Sequence, residues 1–258
     1  MDKLKEKCLN GEMPKVSLYD IHAHLGSTRD YPGFYSTTEE IVGEMERIGI
    51  KKAIVFPLEV YGTEFSYNND KIIADCNKFP EYLIGFCLVN LNYSQKVIEK
   101  EIERCRKLGS VGIKLIAQYQ GYPDEGKNVE FVCEYANHHK MPILNHCWGS
   151  PEFLESLVRK YPSFHYICGH PLLEYTEVVN KYENIWFCTA GVSGFGEVEK
   201  MVRTMRNDRI CWGSDFSDLD FGWTLGSILL AEIGEKTKRR ILGENMVQLL
   251  KKLSIGER

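Results

Sequence analysis

Apolar positions along this chain follow two alternating rhythms. Eight segments are continuously or nearly continuously apolar, the pattern of strands buried on both faces: residues 18–26, 53–58, 82–91, 111–117, 141–147, 164–170, 184–192 and 209–215. Between them run stretches with a single apolar stripe at helical spacing. Thr37 and Glu40 make a capping-box pattern ahead of Ile41, Met45 and Ile48, with Gly49 as the stop. A weaker helix is predicted over 69–79, ended by Pro80, and a clear one over 94–108, with Ile98, Ile102, Cys105 and Leu108 in its stripe. Another spans 128–139, and Ser150-Pro151 opens one whose Phe153, Leu154, Leu157 and Val158 face inward. Helices over 172–182 and 197–205 and two closing helical stretches complete the alternation. Eight βα units predict a parallel sheet closed into a single (β/α)8 barrel of the TIM type, one domain over residues 1–258. An open doubly wound sheet is the runner-up, but no strand is followed by its Gly-rich phosphate fingerprint.

Composition narrows the classes of function. With 43% hydrophobic residues, 26% charged and a net charge of -4, the chain offers no electrostatic case for nucleic acid or a membrane surface. The densest basic cluster, residues 236–240, reads as a solvated helix face. Nine cysteines, an odd number without any C-x-x-C, fit reduced thiols in a cytoplasmic protein better than a disulfide framework. No run reaches transmembrane length, and the charged N-terminus is unlike a signal peptide. The expected partner is a small-molecule substrate, with a homodimer allowed for.

The candidate chemistry sits at the strand ends. Asp20, His22 and His24 alternate along the first strand and so are expected on one face, where two imidazoles at i, i+2 converge on one point; the plain alternative is two ordinary histidines. Of seven histidines, His146 ends the fifth run and His170 the sixth, and Asp215 ends the eighth. Leu144, Cys168 and Gly213 precede these residues by two and share their faces, so the polar ends stand over a barrel interior. His138 and His139 close a helix, and His165 lies at the opposite end of its strand. Four imidazoles and a carboxylate buried together without a cation would be poorly paired, so metal coordination is the simplest reading.

Five segments, DIHAHLG, GIKL, PILNHC, ICGHP and CWGSDFS, followed by ILGENMVQLL, resemble in this order the amidohydrolase superfamily, in particular its amidohydrolase 2 branch of metal-dependent hydrolases and decarboxylases. The resemblance implies a distorted barrel of the metallo-dependent hydrolase type. It implies that His22, His24, His146 and Asp215 bind one divalent metal, with His170 beside the metal-bound water, and an imidazole-rich donor set favours zinc. Asp215 and His170 are then the catalytic residues, as proton acceptor and as base or oxyanion donor. Lys114 stands where two-metal relatives carry a carbamylated bridging lysine, and a substrate-facing or salt-bridged role is equally compatible; one metal is favoured.

Loops after the strands carry the expected substrate contacts: Arg29 as a carboxylate partner, Lys114, Tyr119 and Trp148, in an aromatic mouth with Tyr31, Tyr35, Gln118, Tyr122, Ser193, Phe195 and Phe216. Ser217 departs from the proline that often follows the eighth-strand acid in the branch resembled. The reading preferred from sequence is hydrolysis of a lactone, ester or amide through metal-activated water. The alternative is nonoxidative decarboxylation of a small aromatic or unsaturated acid, and a further one is a catalytically silent metal-binding barrel. A histidinol-phosphatase-type ligand set would need an Asp-x-His pair at Asp215, and a TatD-like nuclease an acid at Lys114.

Overall fold

The computed structural model describes residues 2–13, 15–26, 37–59, 65–192, 194, 196–216 and 219–255. Eight strands, β1 (Leu18–Leu25), β2 (Ile50–Pro57), β3 (Leu83–Leu88), β4 (Gly112–Leu115), β5 (Ile143–Asn145), β6 (Tyr166–Cys168), β7 (Ile185–Cys188) and β8 (Ile210–Cys211), pair in sequence order, each parallel to the next. The seam between β8 and β1 is closed by the Ile21 N–H on the Trp212 carbonyl at 3.0 Å, the Asp215 N–H on the His22 carbonyl at 2.9 Å, and a bridge from Ala23 to Phe216. The result is a nearly closed (β/α)8 barrel. Among the described residues no helix is long and apolar enough to cross a membrane.

Two apolar layers follow from strands buried on both faces. Ile21, Ile54, Phe56, Ile84, Phe86, Leu144, Ile167 and Trp186 fill the barrel, while a larger shell packs the strands against the surrounding helices. The last helix, Asn245–Lys252, gives Met246, Leu249 and Leu250 to the inner layer beside Tyr19 and Val111 at the strand beginnings. It therefore plugs the N-terminal end of the barrel and leaves the other end open for chemistry.

Local signals account for the helix ends. Glu40 N–H donates to Thr37 Oγ1 at 3.2 Å and Thr37 N–H to Glu40 Oε2 at 3.1 Å, and Gly49 takes the left-handed conformation, φ 94°, that stops the helix Thr38–Ile48. Several strands are shorter than the apolar runs. Beyond Leu88 the chain stays buried, but side-chain amides replace the ladder: Gln120 accepts from Leu91 N–H and donates to the Val89 carbonyl, and Asn128 donates to the Leu91 carbonyl.

An N-terminal helix, Lys3–Leu9, was not foreseen by the pattern. It buries only Leu4 and is fixed by Lys5 on Glu232 and Asp2 on Lys238. Lys238 also corrects the reading of residues 236–240 as a solvated face, since its side chain is wholly buried and its ammonium bonds the Leu229 carbonyl. All nine cysteines are free thiols.

Candidate metal centre

At the open end of the barrel β1 carries His22 and His24, and Asp215 follows β8. Asp215 Oδ1 lies 3.2 Å from His22 Nε2 and 3.3 Å from His24 Nε2. The other ring nitrogen of each histidine faces a backbone carbonyl: His22 Nδ1 is 2.9 Å from Gly169 O, and His24 Nδ1 is 3.4 Å from Pro57 O. A carbonyl only accepts, so Nδ1 carries a proton, and Nε2 is the atom of each ring that a metal would bind. His170 repeats the arrangement with Nδ1 3.2 Å from Ala190 O. Ligand atoms of His22, His170 and Asp215 lie within 4.8 Å of one another.

This geometry sets the Nε2 atoms of two histidines against one carboxylate oxygen. Burial, with the Lys114 ammonium next in importance, holds His22 well below the usual imidazole range, and burial lowers His170 as well. Burial acts to raise the Asp215 carboxyl, but His22, His24 and His170 together outweigh it and keep the group ionised. One carboxylate oxygen and the Nε2 atoms of two histidines thus stand around one point that a cation could occupy. The residues present therefore fit a divalent metal by donor chemistry: two or three imidazole nitrogens, one carboxylate oxygen, and carbonyls behind the rings.

The remaining expected residues are distributed unevenly. His146 is half-buried, its ring 4.2 Å from that of His170 and 4.8 Å from Tyr119, so it stands nearer the mouth than the tight group, where the resemblance made it a ligand. Burial, His170 and Lys114 push it down to about 3. Lys114 is wholly buried, its Nζ 3.4 Å from His22 Nε2 and 4.3 Å above the Phe56 ring, so it projects into the site. Tyr119 is 46% exposed at the mouth. Trp148 is placed elsewhere: it is buried in the outer shell beside Tyr166, its indole N–H on the Ile167 carbonyl at 3.2 Å, and cannot line the mouth. Phe216 is likewise buried, stacked on Phe221. Arg29, Tyr31, Tyr35, Ser193, Phe195 and Ser217 lie outside the described residues.

Strand parity fails in two places. Register between β1 and β2 slips between Asp20 and Ala23, and Asp20 does not join the histidines: its carboxylate accepts the N–H groups of His22 and Ser214, each at 3.0 Å, and the Ser214 hydroxyl. Burial raises this carboxyl to about 7 against those bonds. Cys168 packs in the outer shell although His170, two residues on, reaches the site, because the chain turns at Gly169. Asp215 has φ 58°, an uncommon backbone state for a residue other than glycine, and a position where strain accompanies a functional site. Gly213 is required just before it, since a Cβ there would run into Cys188 Sγ and His22 Cβ.

The lowered imidazoles fix a pH dependence. His146 at about 3 and His165, brought to about 4 by burial, both bind protons near 6.5 once unfolded, so between those values these two groups hold more protons in the unfolded chain and outnumber Asp20, which at about 7 acts in the opposite sense. Stability of metal-free protein should therefore fall as pH drops below about 6.5. Thermal melting at pH 7 and pH 5 checks this, and equal midpoints would refute it.

Comparison with known proteins agrees with the fold. A 2,6-dihydroxybenzoate decarboxylase from Rhizobium superposes with a TM-score of 0.72 at 14% identity, over 93% of this chain and 99% of its own. A 5-carboxyvanillate decarboxylase from Novosphingobium aromaticivorans, complexed with manganese and 4-hydroxy-3-methoxy-5-nitrobenzoic acid, gives 0.68 at 15% identity, over 92% and 96%. A putative amidohydrolase from Staphylococcus aureus gives 0.70 at 13%, over 92% and 100%. None of the curated proteins matches the sequence. The family model described as Amidohydrolase matches residues 19–252, from the start of the histidine strand to the end of the plugging helix, and the chain belongs to the amidohydrolase family.

Proposed function

We propose that this protein is a metal-dependent nonoxidative decarboxylase of a small aromatic or unsaturated carboxylic acid, working with one divalent cation, zinc by its donor chemistry. The observation that carries the reading is the buried Lys114 ammonium projecting into the site. Burial holds His22, His146 and His170 below the usual imidazole range, so the Lys114 ammonium is a positive charge beside them, and a bound dication would add to it. Such a cavity favours an anionic substrate over a neutral ester, lactone or amide. Two decarboxylases among the structural neighbours accord with this choice over the hydrolysis preferred from sequence.

His22, His24 and Asp215 would hold the divalent cation, which would supply Lewis acidity and positive charge for a substrate carboxylate. The chain does the rest. Lys114 adds a second positive contact, Tyr119 offers a ring to a planar substrate at the mouth, and His146 stands between site and solvent, where it relays the proton that replaces carbon dioxide on the substrate carbon. Nine free thiols fit a reducing compartment, and the cytoplasm is the proposed location.

The test is a panel of hydroxybenzoates and unsaturated acids assayed for carbon dioxide release, beside esters, lactones and amides, using metal-stripped and reconstituted protein. Release from an acid by the reconstituted protein alone, with close to one equivalent of metal, is the expected result. Hydrolysis of a neutral substrate without any carbon dioxide release would overturn the reading. Two equivalents, with a mass increase of one carbon dioxide on Lys114, would overturn the single-metal assignment.

For the two outer histidines the proposed roles differ from those the resemblance implies. His170, turned inward by Ala190, is the nearest fourth ligand, so His170→Ala should lose most of its metal, whereas His146→Ala should keep metal and lose turnover. Elemental analysis of both variants decides, and the reverse pattern would restore the ligand set implied by the resemblance.

A further inference from the structure

We propose that Asp20 and Ser214 are positioning residues that hold Asp215 in its left-handed turn and so keep its carboxylate opposite the two β1 imidazoles. Three described residues other than glycine have positive φ: Lys140 and Ser254, which follow helices, and Asp215, which sits in the site. An aspartate tolerates this conformation but does not select it, so the surrounding bonds must. They converge on both flanks. Asp20 Oδ1 accepts the Ser214 N–H and the His22 N–H, each at 3.0 Å, and Oδ2 accepts the Ser214 hydroxyl. Ser214 Oγ in turn accepts the Phe216 N–H at 3.0 Å. The Asp215 N–H is itself held on the His22 carbonyl at 2.9 Å.

One carboxylate therefore ties the peptide before His22 to the residue before Asp215, and one hydroxyl passes that tie to the residue after it. Asp20 and Ser214 are both wholly buried. With three donors on its two oxygens, Asp20 is committed to the seam. A buried carboxylate beside another one is costly to keep unless it fixes geometry, and the geometry here is that of the metal-ligating oxygen. The consequence for metal affinity rests on the function proposed above; the control of backbone conformation does not.

The experiment uses Ser214→Ala and Asp20→Asn in the full chain. Cobalt(II) titration of metal-free protein, followed by the visible absorption of the bound ion, should give Ser214→Ala about 10- to 100-fold weaker binding with an altered spectrum. Asp20→Asn, which keeps the shape and can still accept both N–H groups, should fall between it and the wild type. Crystal structures of the metal-free variants should show Asp215 out of the left-handed region in Ser214→Ala. Cobalt affinity and spectrum equal to wild type in both variants, with Asp215 still at positive φ, would overturn the proposal. If wild-type protein takes up no cobalt, the metal reading fails, and the crystal structures alone decide: release of Asp215 supports the positioning role and retention in both variants refutes it. Should Ser214→Ala not fold, Asp20→Asn carries both measurements.

Discussion

Asp215→Asn should lower turnover by about a thousandfold and remove most of the bound cation, and it should lower the melting midpoint of metal-free protein. The three losses share one cause. In the wild type an ionised oxygen faces His22 Nε2 at 3.2 Å and His24 Nε2 at 3.3 Å, and the two rings hold it ionised. That attraction supports the metal-free fold, and with a cation bound the same three atoms become a ligand set. Asparagine keeps the shape and tolerates the same positive φ, but has no charge for the rings to hold. It also removes the one formal charge that the cation neutralises among these donors. The three readouts are carbon dioxide release, metal content and the melting midpoint of metal-stripped protein. A variant that retains metal and a near-normal rate would sink the assigned role. A metal-free midpoint equal to wild type would mean that the carboxylate serves the ion alone.

The fold was legible because a strand buried on both faces and an amphipathic helix leave different periods, and here the two alternate without interruption. Strand ends followed from the same pattern, which is how His22, His24, His146, His170 and Asp215 were grouped from sequence. What the pattern could not carry was phase. A continuously apolar run such as 111–117 does not say which residues point inward, so the direction of Lys114 was unreadable until β4 was placed against β3 and β5. Where a strand bulges, phase is lost even when it seemed known: Asp20 keeps the i, i+2 spacing to His22 and yet serves the seam.

Loop aromatics were unreadable for another reason. Trp148 and Tyr119 both follow strands, but only the tertiary partners Tyr166 and Ile167 draw the first into the shell. The N-terminal helix depends on Glu232 and Lys238, more than two hundred residues away in the chain, so no local window contains its cause. The Ser214 tie could have been suspected from a hydroxyl beside a strand-end acid, but Ser-Asp is too common a pair to single out.

Lys114→Met should reduce kcat/KM for a carboxylic acid substrate by about a hundredfold, the range expected when one partner of a buried charge contact is lost, while the protein stays folded and keeps its metal. Methionine matches the length of the lysine stem and can rest its sulfur on the Phe56 ring, where the ammonium now lies 4.3 Å from the centroid. Packing is therefore retained and only the charge goes. Removing a wholly buried ammonium relieves a desolvation cost and also takes away its contact with His22, so the melting midpoint of metal-free protein is read beside the kinetics to show that the variant is folded. The ammonium also lies 3.4 Å from His22 Nε2, where it repels a dication bound to that nitrogen, so cation affinity should be equal or tighter. Metal analysis beside the kinetics separates three roles. Activity lost with metal retained makes Lys114 the counter-charge for the substrate carboxylate. Metal lost together with activity makes it a ligand, as a modified lysine would be. Unchanged kcat/KM with metal in place would show that the charge in the floor of this barrel plays no part in holding the substrate, and would return the choice of reaction to a neutral acyl compound.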